Sequence, residues 1–283
     1  TITSKLPSQL RLLGSSTFPY STNHRSQIDH LCRIHQWRPA QFPTIDWALF
    51  DSLTNKKSSF PNRLFYIKWV NHILPIQQRQ FRFGLSPSAS CPSDCGCLEE
   101  TDTHLLHCPH PDRQRLHSDL HLAIRSTPRK HNADPWLRQI LFSLLSTAAA
   151  PIPFTLASLT LPYTDLIAAQ SAMGPDSLFY GFFHHSWVSL QEAYLRNLGL
   201  PHDRNQARLL VEHWAHLFLN AARSQWNARN GHLHDSSPDA VPYARTLLLA
   251  ETRAIYNAKD LLLFHDRDAI YQAVSLEDRL QFP

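Results

Sequence analysis

Four of the chain's five cysteines fall within CPSDCGCLEETDTHLLHCPH, from Cys91 to His110, together with His104, His107 and His110. A segment so short and polar has no apolar core of its own. It keeps one shape only if something cross-links it. Cys91 and Cys95 flank Pro92, Ser93 and Asp94, and Gly96 follows where a tight turn needs a permissive backbone. His104 and Cys108 stand at i and i+4, on one helical face. Both pairs can reach a single ion, and thiolate plus neutral imidazole is the ligand set of tetrahedral zinc. Cys91, Cys95, His104 and Cys108 are therefore the expected ligands of a structural Zn2+, with Cys97 an alternate for Cys95. Disulfides are the competing cross-link, disfavoured in an intracellular, reducing setting. His107 and His110 are expected at the surface or near a polyanion. Glu99 and Glu100 are expected as solvated loop charges.

The rest of the chain reads as helix. In 283 residues there are 7 glycines and 20 prolines. Few glycines, with many Leu, Ala, Arg and Gln residues, favour helices separated by proline-marked loops. The expectation is an all-α, irregular multi-helix array with a small Cys/His zinc knuckle inserted between helices. Residues 1–27 are read as a loosely ordered lead-in and 28–150 as a helical region carrying the knuckle at 91–110. Residues 151–175, with AAAPIPFTLASLTLP, are read as a linker, and 176–283 as a C-terminal helical domain. Expected helix starts include Thr44, Thr103 and Asp112. Asp134-Pro135 is the strongest of them, an N-cap followed by proline at the first helical position. Asp176-Ser177 is expected to open a helix continuing to Gly199. Further helices are expected from His202 to about Ala228 and from Ala240 to Phe264. SLEDRL is expected to make a last short turn. No apolar run approaches the ~20 residues of a membrane helix, and no apolar signal core opens the chain. The absent initiator Met suggests a piece of a longer polypeptide.

Charge is uneven. Residues 1–130 hold 5 Lys and 11 Arg against 9 acidic residues, a net +7, while 131–283 carry −3, together the overall +4. A basic first half suits a polyanion, although ordinary surface variation gives the same imbalance. Within it, QQRQFRF (77–83) interleaves Arg79 and Arg82 with Phe81 and Phe83, and Arg113 and Arg115 follow the cluster. Arginine binds phosphate while an aromatic ring stacks a base; an amphipathic helix end with snorkelling Arg accounts for the same pattern. Arg79, Arg82, Phe81, Arg113 and Arg115 are the candidate contacts to RNA or DNA. His117/His121 and His213/His216 have metal spacing but are expected as ordinary surface or core histidines. Near the end of the long helix, Trp226, Arg229 and Asn230 are expected to clamp it in preference to contacting a base: Trp into the core, Arg to a carboxylate, Asn to a loop backbone.

The cluster also resembles the zinc-binding region that follows the polymerase domain in non-LTR (LINE-type) retrotransposon reverse transcriptases. Cys95-Gly96, Glu100-Thr101, His104-Leu105-Leu106 and Cys108-Pro109 match its pattern in order and spacing. The first pair departs, with three residues between Cys91 and Cys95 where the family usually has two. KWVNHILPIQQRQFRFGL upstream and YGFFHHSWVSLQEAYL and SQWNARNGHLH downstream are similar to that family's flanking segments, so the resemblance covers roughly 44–235. It implies a non-catalytic, nucleic-acid-binding part of such an enzyme that helps engage template RNA or target DNA. Its partners would be RNA or DNA and the polymerase domain of the parent polyprotein, inside the cell, in nucleus or cytoplasm, and at no membrane. The polymerase's Asp-Asp motif is absent from the chain, so no polymerase activity of its own is expected. Two other readings stay open: a zinc-stapled helical scaffold for protein–protein contact within the polyprotein, and a decayed element fragment.

Overall fold

In the computed structural model the described residues are 23–56, 59–127, 132–146, 160–200 and 204–234. The expected helix from Ala240 to Phe264 and the SLEDRL turn lie outside them, as does most of the expected lead-in. The chain divides into two compact units, residues 1–229 and 230–283. Only 230–234 of the second are described, and the packing below is that of the first.

Ten α-helices occur among the described residues: α1 Asn23–Ile34, α2 Trp47–Asp51, α3 Phe60–Val70, α4 Gln77–Arg82, α5 Asp102–His107, α6 Pro111–Ser126, α7 Pro135–Ser146, α8 Leu161–Ala172, α9 Ser186–Asn197 and α10 Arg204–Leu233. Short 3-10 turns cover Phe42–Thr44 and Ser177–Tyr180, and α2 runs on into a π turn, Ser52–Lys56. No strand forms among the described residues; a single bridge pairs Ile45 with His184. The fold is all-α, as expected. No described helix is long and apolar enough to cross a membrane.

Several helix starts differ from expectation for local reasons. Thr44 lies in a 3-10 turn, and Asp46 caps α2 instead, its Oδ1 accepting from the Leu49 N–H at 2.9 Å. Thr101 rather than Thr103 caps α5, because Thr101 is extended (φ −96°, ψ 172°) and its Oγ1 accepts from the His104 N–H at 3.0 Å. Asp134 does cap α7, accepting from the Trp136 N–H at 2.8 Å. Its other oxygen accepts from the Tyr163 hydroxyl at 2.5 Å, and its N–H donates to Gln191 Oε1 at 2.9 Å. One capping residue thus fastens α7 to α8 and α9.

The expected linker at 151–175 is corrected in its second half. Residues 161–172 form α8, with Leu166 and Gln170 buried, and belong to the same compact unit as the helices on either side in sequence. Gln170 explains the inclusion. Its Nε2 donates to Ser177 Oγ at 2.9 Å and to the Phe182 carbonyl at 2.8 Å. Its Oε1 accepts from the His184 N–H at 3.0 Å and from Trp187 Nε1 at 2.8 Å. A buried amide with every group satisfied fixes one arrangement of the chain.

That arrangement also breaks the helix expected from 177 to 199. The 3-10 turn ends at Gly181, which takes φ +81°. A Cβ there would lie 3.3 Å from Leu219 Cδ1, so both the backbone conformation and the neighbouring helix favour glycine. The chain then turns Phe182 and Phe183, both fully buried, into the centre beside Trp69, Trp187, Trp214 and Phe218 before α9 begins. Trp69 Nε1 donates to the Phe179 carbonyl at 2.9 Å, and its ring stacks on Tyr180 at 4.5 Å. α3 is thereby locked onto the same turn.

Candidate metal centre

The Cys91–Cys97 loop closes on itself before any ligand is considered. The Cys91 N–H donates to the Cys97 carbonyl at 3.0 Å, and the Glu100 N–H to the Ala89 carbonyl at 2.8 Å. Asp94 (φ 49°) and Gly96 (φ 80°) take left-handed conformations that reverse the chain on either side of Cys95. Each outer cysteine is followed by proline, which has no N–H and fixes φ. The next N–H, from Ser93 after Cys91 and from His110 after Cys108, is then directed back at the sulfur.

The cluster brings four ligand atoms together. Those of Cys91, Cys95, His104 and Cys108 all lie within 4.8 Å of one another. Cys91 Sγ is 3.9 Å from Cys108 Sγ, and Cys95 Sγ is 3.4 Å from His104 Nε2. Tetrahedral ligands at about 2.3 Å from an ion have edges of roughly 3.8 Å, so the spacing fits one four-coordinate ion. All the described thiols are free. Cys97 stands apart, its Sγ turned to the Glu99 carbonyl at 3.4 Å. Of the two candidates for the second position, the structure brings Cys95 into the set.

Burial disfavours the charged forms of Cys91, Cys108 and His104. It pushes the Cys91 thiol up to about 12 and also raises Cys108, while lowering His104. An ion would displace the Cys91 and Cys108 thiol protons. Arg113 sits behind the site, fully buried and close enough to act electrostatically on both Cys91 and Cys108. Its Nε donates to Gln225 Oε1 and its Nη2 to the Leu105 carbonyl. Its Nη1, like Ser93 Oγ, is buried with no hydrogen-bond partner. Three thiolates and a divalent ion carry a net charge of about −1, which would offset this guanidinium. The residues present therefore fit a metal ion.

Arg113 is accordingly corrected as a nucleic-acid contact: at 0% exposure it faces the protein. Arg79 is largely turned inward as well, bound to Asp102 and donating to the Leu74 carbonyl at 2.7 Å. The other candidates do face solvent. Phe81 is 52% exposed, and the side chains of Arg82 and Arg115 are 66% and 73% exposed. Arg82 lies 4.0 Å from Glu99, and Arg115 lies 3.4 Å from Asp112. His107 and His110 are half-buried rather than on the surface. His107 Nε2 pairs with Asp176 Oδ1 at 2.8 Å, and the His110 ring caps α6.

Glu100 is the residue that sequence reasoning misplaced most. It is fully buried, not solvated. Its carboxylate accepts from Arg229 Nε at 3.0 Å, from Arg229 Nη2 at 2.9 Å and from the Gln77 N–H at 2.7 Å. Arg229 Nη2 also reaches the Pro75 carbonyl at 3.3 Å, and its guanidinium lies over the Trp226 ring, 5.0 Å from the centroid. Trp226 packs against the core, so the clamp expected of Trp226 and Arg229 is present. Its carboxylate partner is the loop residue next to the cluster. Comparisons with protein-family models, curated proteins and solved structures return no match.

Proposed function

We propose that the cluster holds one structural zinc and that the chain is a non-catalytic, nucleic-acid-binding region of a LINE-type retrotransposon reverse transcriptase. The spacing of the four ligand atoms carries the first half of this reading. Three soft sulfurs and one imidazole select zinc among common intracellular ions, and four protein ligands leave no position for a substrate. Thiolate ligands require a reducing setting, which agrees with a cytoplasmic or nuclear protein. For the second half, Phe81, Arg82, Phe83 and Arg115 are exposed on α4, the turn after it and α6. Arginine with an exposed ring is suited to phosphate and base. Arg79 and Arg113 instead support the site from within.

A second reading has its own observation. Phe83, Leu85 and Leu98 are 77%, 76% and 82% exposed, and such apolar side chains also suit a scaffold that docks on another part of the polyprotein. Elemental analysis of protein purified under reducing conditions without added zinc tests the metal. One zinc per chain with the cluster thiols protected is expected; no zinc and freely reactive thiols would overturn it. Salt-dependent binding of a single-stranded oligonucleotide then separates the two readings, because phosphate contacts release counterions.

A further inference from the structure

A cavity of about 300 Å³ opens between α3 and α10, with no cysteine in its lining. Leu64 and Lys68 stand at i and i+4 on α3, and Arg223, Trp226 and Asn227 at i, i+3 and i+4 on α10, so each helix turns one face to it. Leu74 also lines it. The lining holds two cations and no carboxylate. Neither Lys68 nor Arg223 forms an ion pair with a described carboxylate. The Trp226 ring, steadied by the Arg229 guanidinium 5.0 Å from its centroid, adds an aromatic surface to the charged rim.

We infer that this groove binds one nucleotide of a single-stranded nucleic acid, a site additional to the surface beside the cluster. The inference rests on the nucleic-acid reading above. Lys68 and Arg223 receive the phosphate, the base lies against Trp226 and Leu64, and the Asn227 amide meets the base edge. Charge complementarity selects an anion, and the apolar and aromatic lining selects one with a flat ring attached. An acidic side chain would satisfy the cations but leave the ring and Leu64 uncovered.

The test uses the full chain and a single-stranded RNA dodecamer carrying one 4-thiouridine, with photo-crosslinks mapped by mass spectrometry and affinity followed against salt. The expected adduct is on the peptide containing Trp226. A Lys68→Ala/Arg223→Ala double variant, with unchanged helix and zinc content, should bind at least about tenfold more weakly. Its salt slope should be smaller by about 0.7, the value for one phosphate on a single strand. Adducts at Phe81 or Phe83, with affinity unchanged in the double variant, would overturn the groove while leaving the nucleic-acid reading intact. Displacement of the RNA from Trp226 by an oligoglutamate of equal charge, at equal concentration, would also overturn the groove by assigning it to acidic peptides. Absence of any binding by the wild-type chain at low salt would remove the nucleic-acid reading itself, and the groove inference with it.

Discussion

Glu100 and Arg229 stand 129 residues apart in sequence and form a two-pronged ion pair at 0% and 1% side-chain exposure. The carboxylate belongs to the Cys/His loop and the guanidinium to the long helix, so the pair fastens the candidate metal centre to the core. Breaking such a pair from one side leaves an uncompensated buried charge. Arg229→Met is expected to destabilise the protein by about 3–5 kcal/mol, measured by urea unfolding. The Glu100→Gln/Arg229→Met double variant should recover part of that loss. A double variant no better than the single one would show that the ion pair is not what Arg229 contributes.

Removing a ligand should act locally. Cys91→Ser or His104→Ala is expected to lower zinc content and to melt residues 91–110, while α9 keeps its protection in hydrogen exchange and the end of α10 around Arg229, which loses Glu100, is less protected. Unchanged zinc in both variants would sink the ligand assignment.

Arg113 makes a different prediction, since it touches no ligand covalently but lies close to two of them. Arg113→Gln removes the charge and is expected to weaken zinc affinity by roughly ten- to a hundredfold, the usual range for outer partners of a metal site. Competition with a chromophoric chelator measures it. A variant that binds zinc as tightly as wild type would show that the guanidinium serves only Gln225 and Leu105.

Gln170→Leu preserves volume and removes four hydrogen bonds from the centre of the fold. The Ser177 hydroxyl, the Phe182 carbonyl, the His184 N–H and Trp187 Nε1 each lose their bond to Gln170. At about 1–3 kcal/mol per orphaned group, this substitution should prevent stable folding. A thermal midpoint close to wild type would contradict the role given to the amide.

Acid sensitivity has a source separate from the thiols. His35 is half-buried against Trp37, His72, Tyr180 and Phe182, with Nε2 2.9 Å from the Val70 carbonyl. Burial, with the neighbouring His72, lowers its pKa to about 3. The folded state holds the neutral ring, so the unfolded state binds the proton first. Stability is then full above the unfolded pKa near 6.5 and falls as pH drops from there toward 3. At pH 5 the loss should be roughly 2 kcal/mol. His35→Gln should flatten this part of the pH profile of urea midpoints, while metal release keeps its own pH dependence.

The sequence carried the helices because their signals are local: proline breaks, the Asp134-Pro135 cap, and the spacing of His104 and Cys108. It carried the candidate cluster for the same reason, since all four residues lie within one loop and one short helix. What it hid was decided at long range. Glu100 looks solvated beside Glu99 until an arginine 129 residues later meets it. Arg113 looks like one of a basic run until Gln225 and Leu105 draw it inward. The 161–172 segment reads as a linker because its pattern is weak. It is a core helix because Gln170 finds four partners beyond it. The Trp226–Arg229 clamp was legible as a role, but its acidic partner was not.

The Glu100–Arg229 pair also sets an order of events during synthesis. When the last cysteine of the loop leaves the ribosome, the carboxylate beside it has no counter-charge. At about 5–20 residues per second, the 129 residues separating Glu100 from Arg229 take roughly 6–26 s to appear. Through that interval the loop is held by its own backbone bonds, by the Gln77 N–H on Glu100, by Arg79 on Asp102 and by any ion it captures. The long helix then arrives as a latch. A nascent chain interrupted before Arg229 would present a knuckle that has formed but never been fastened.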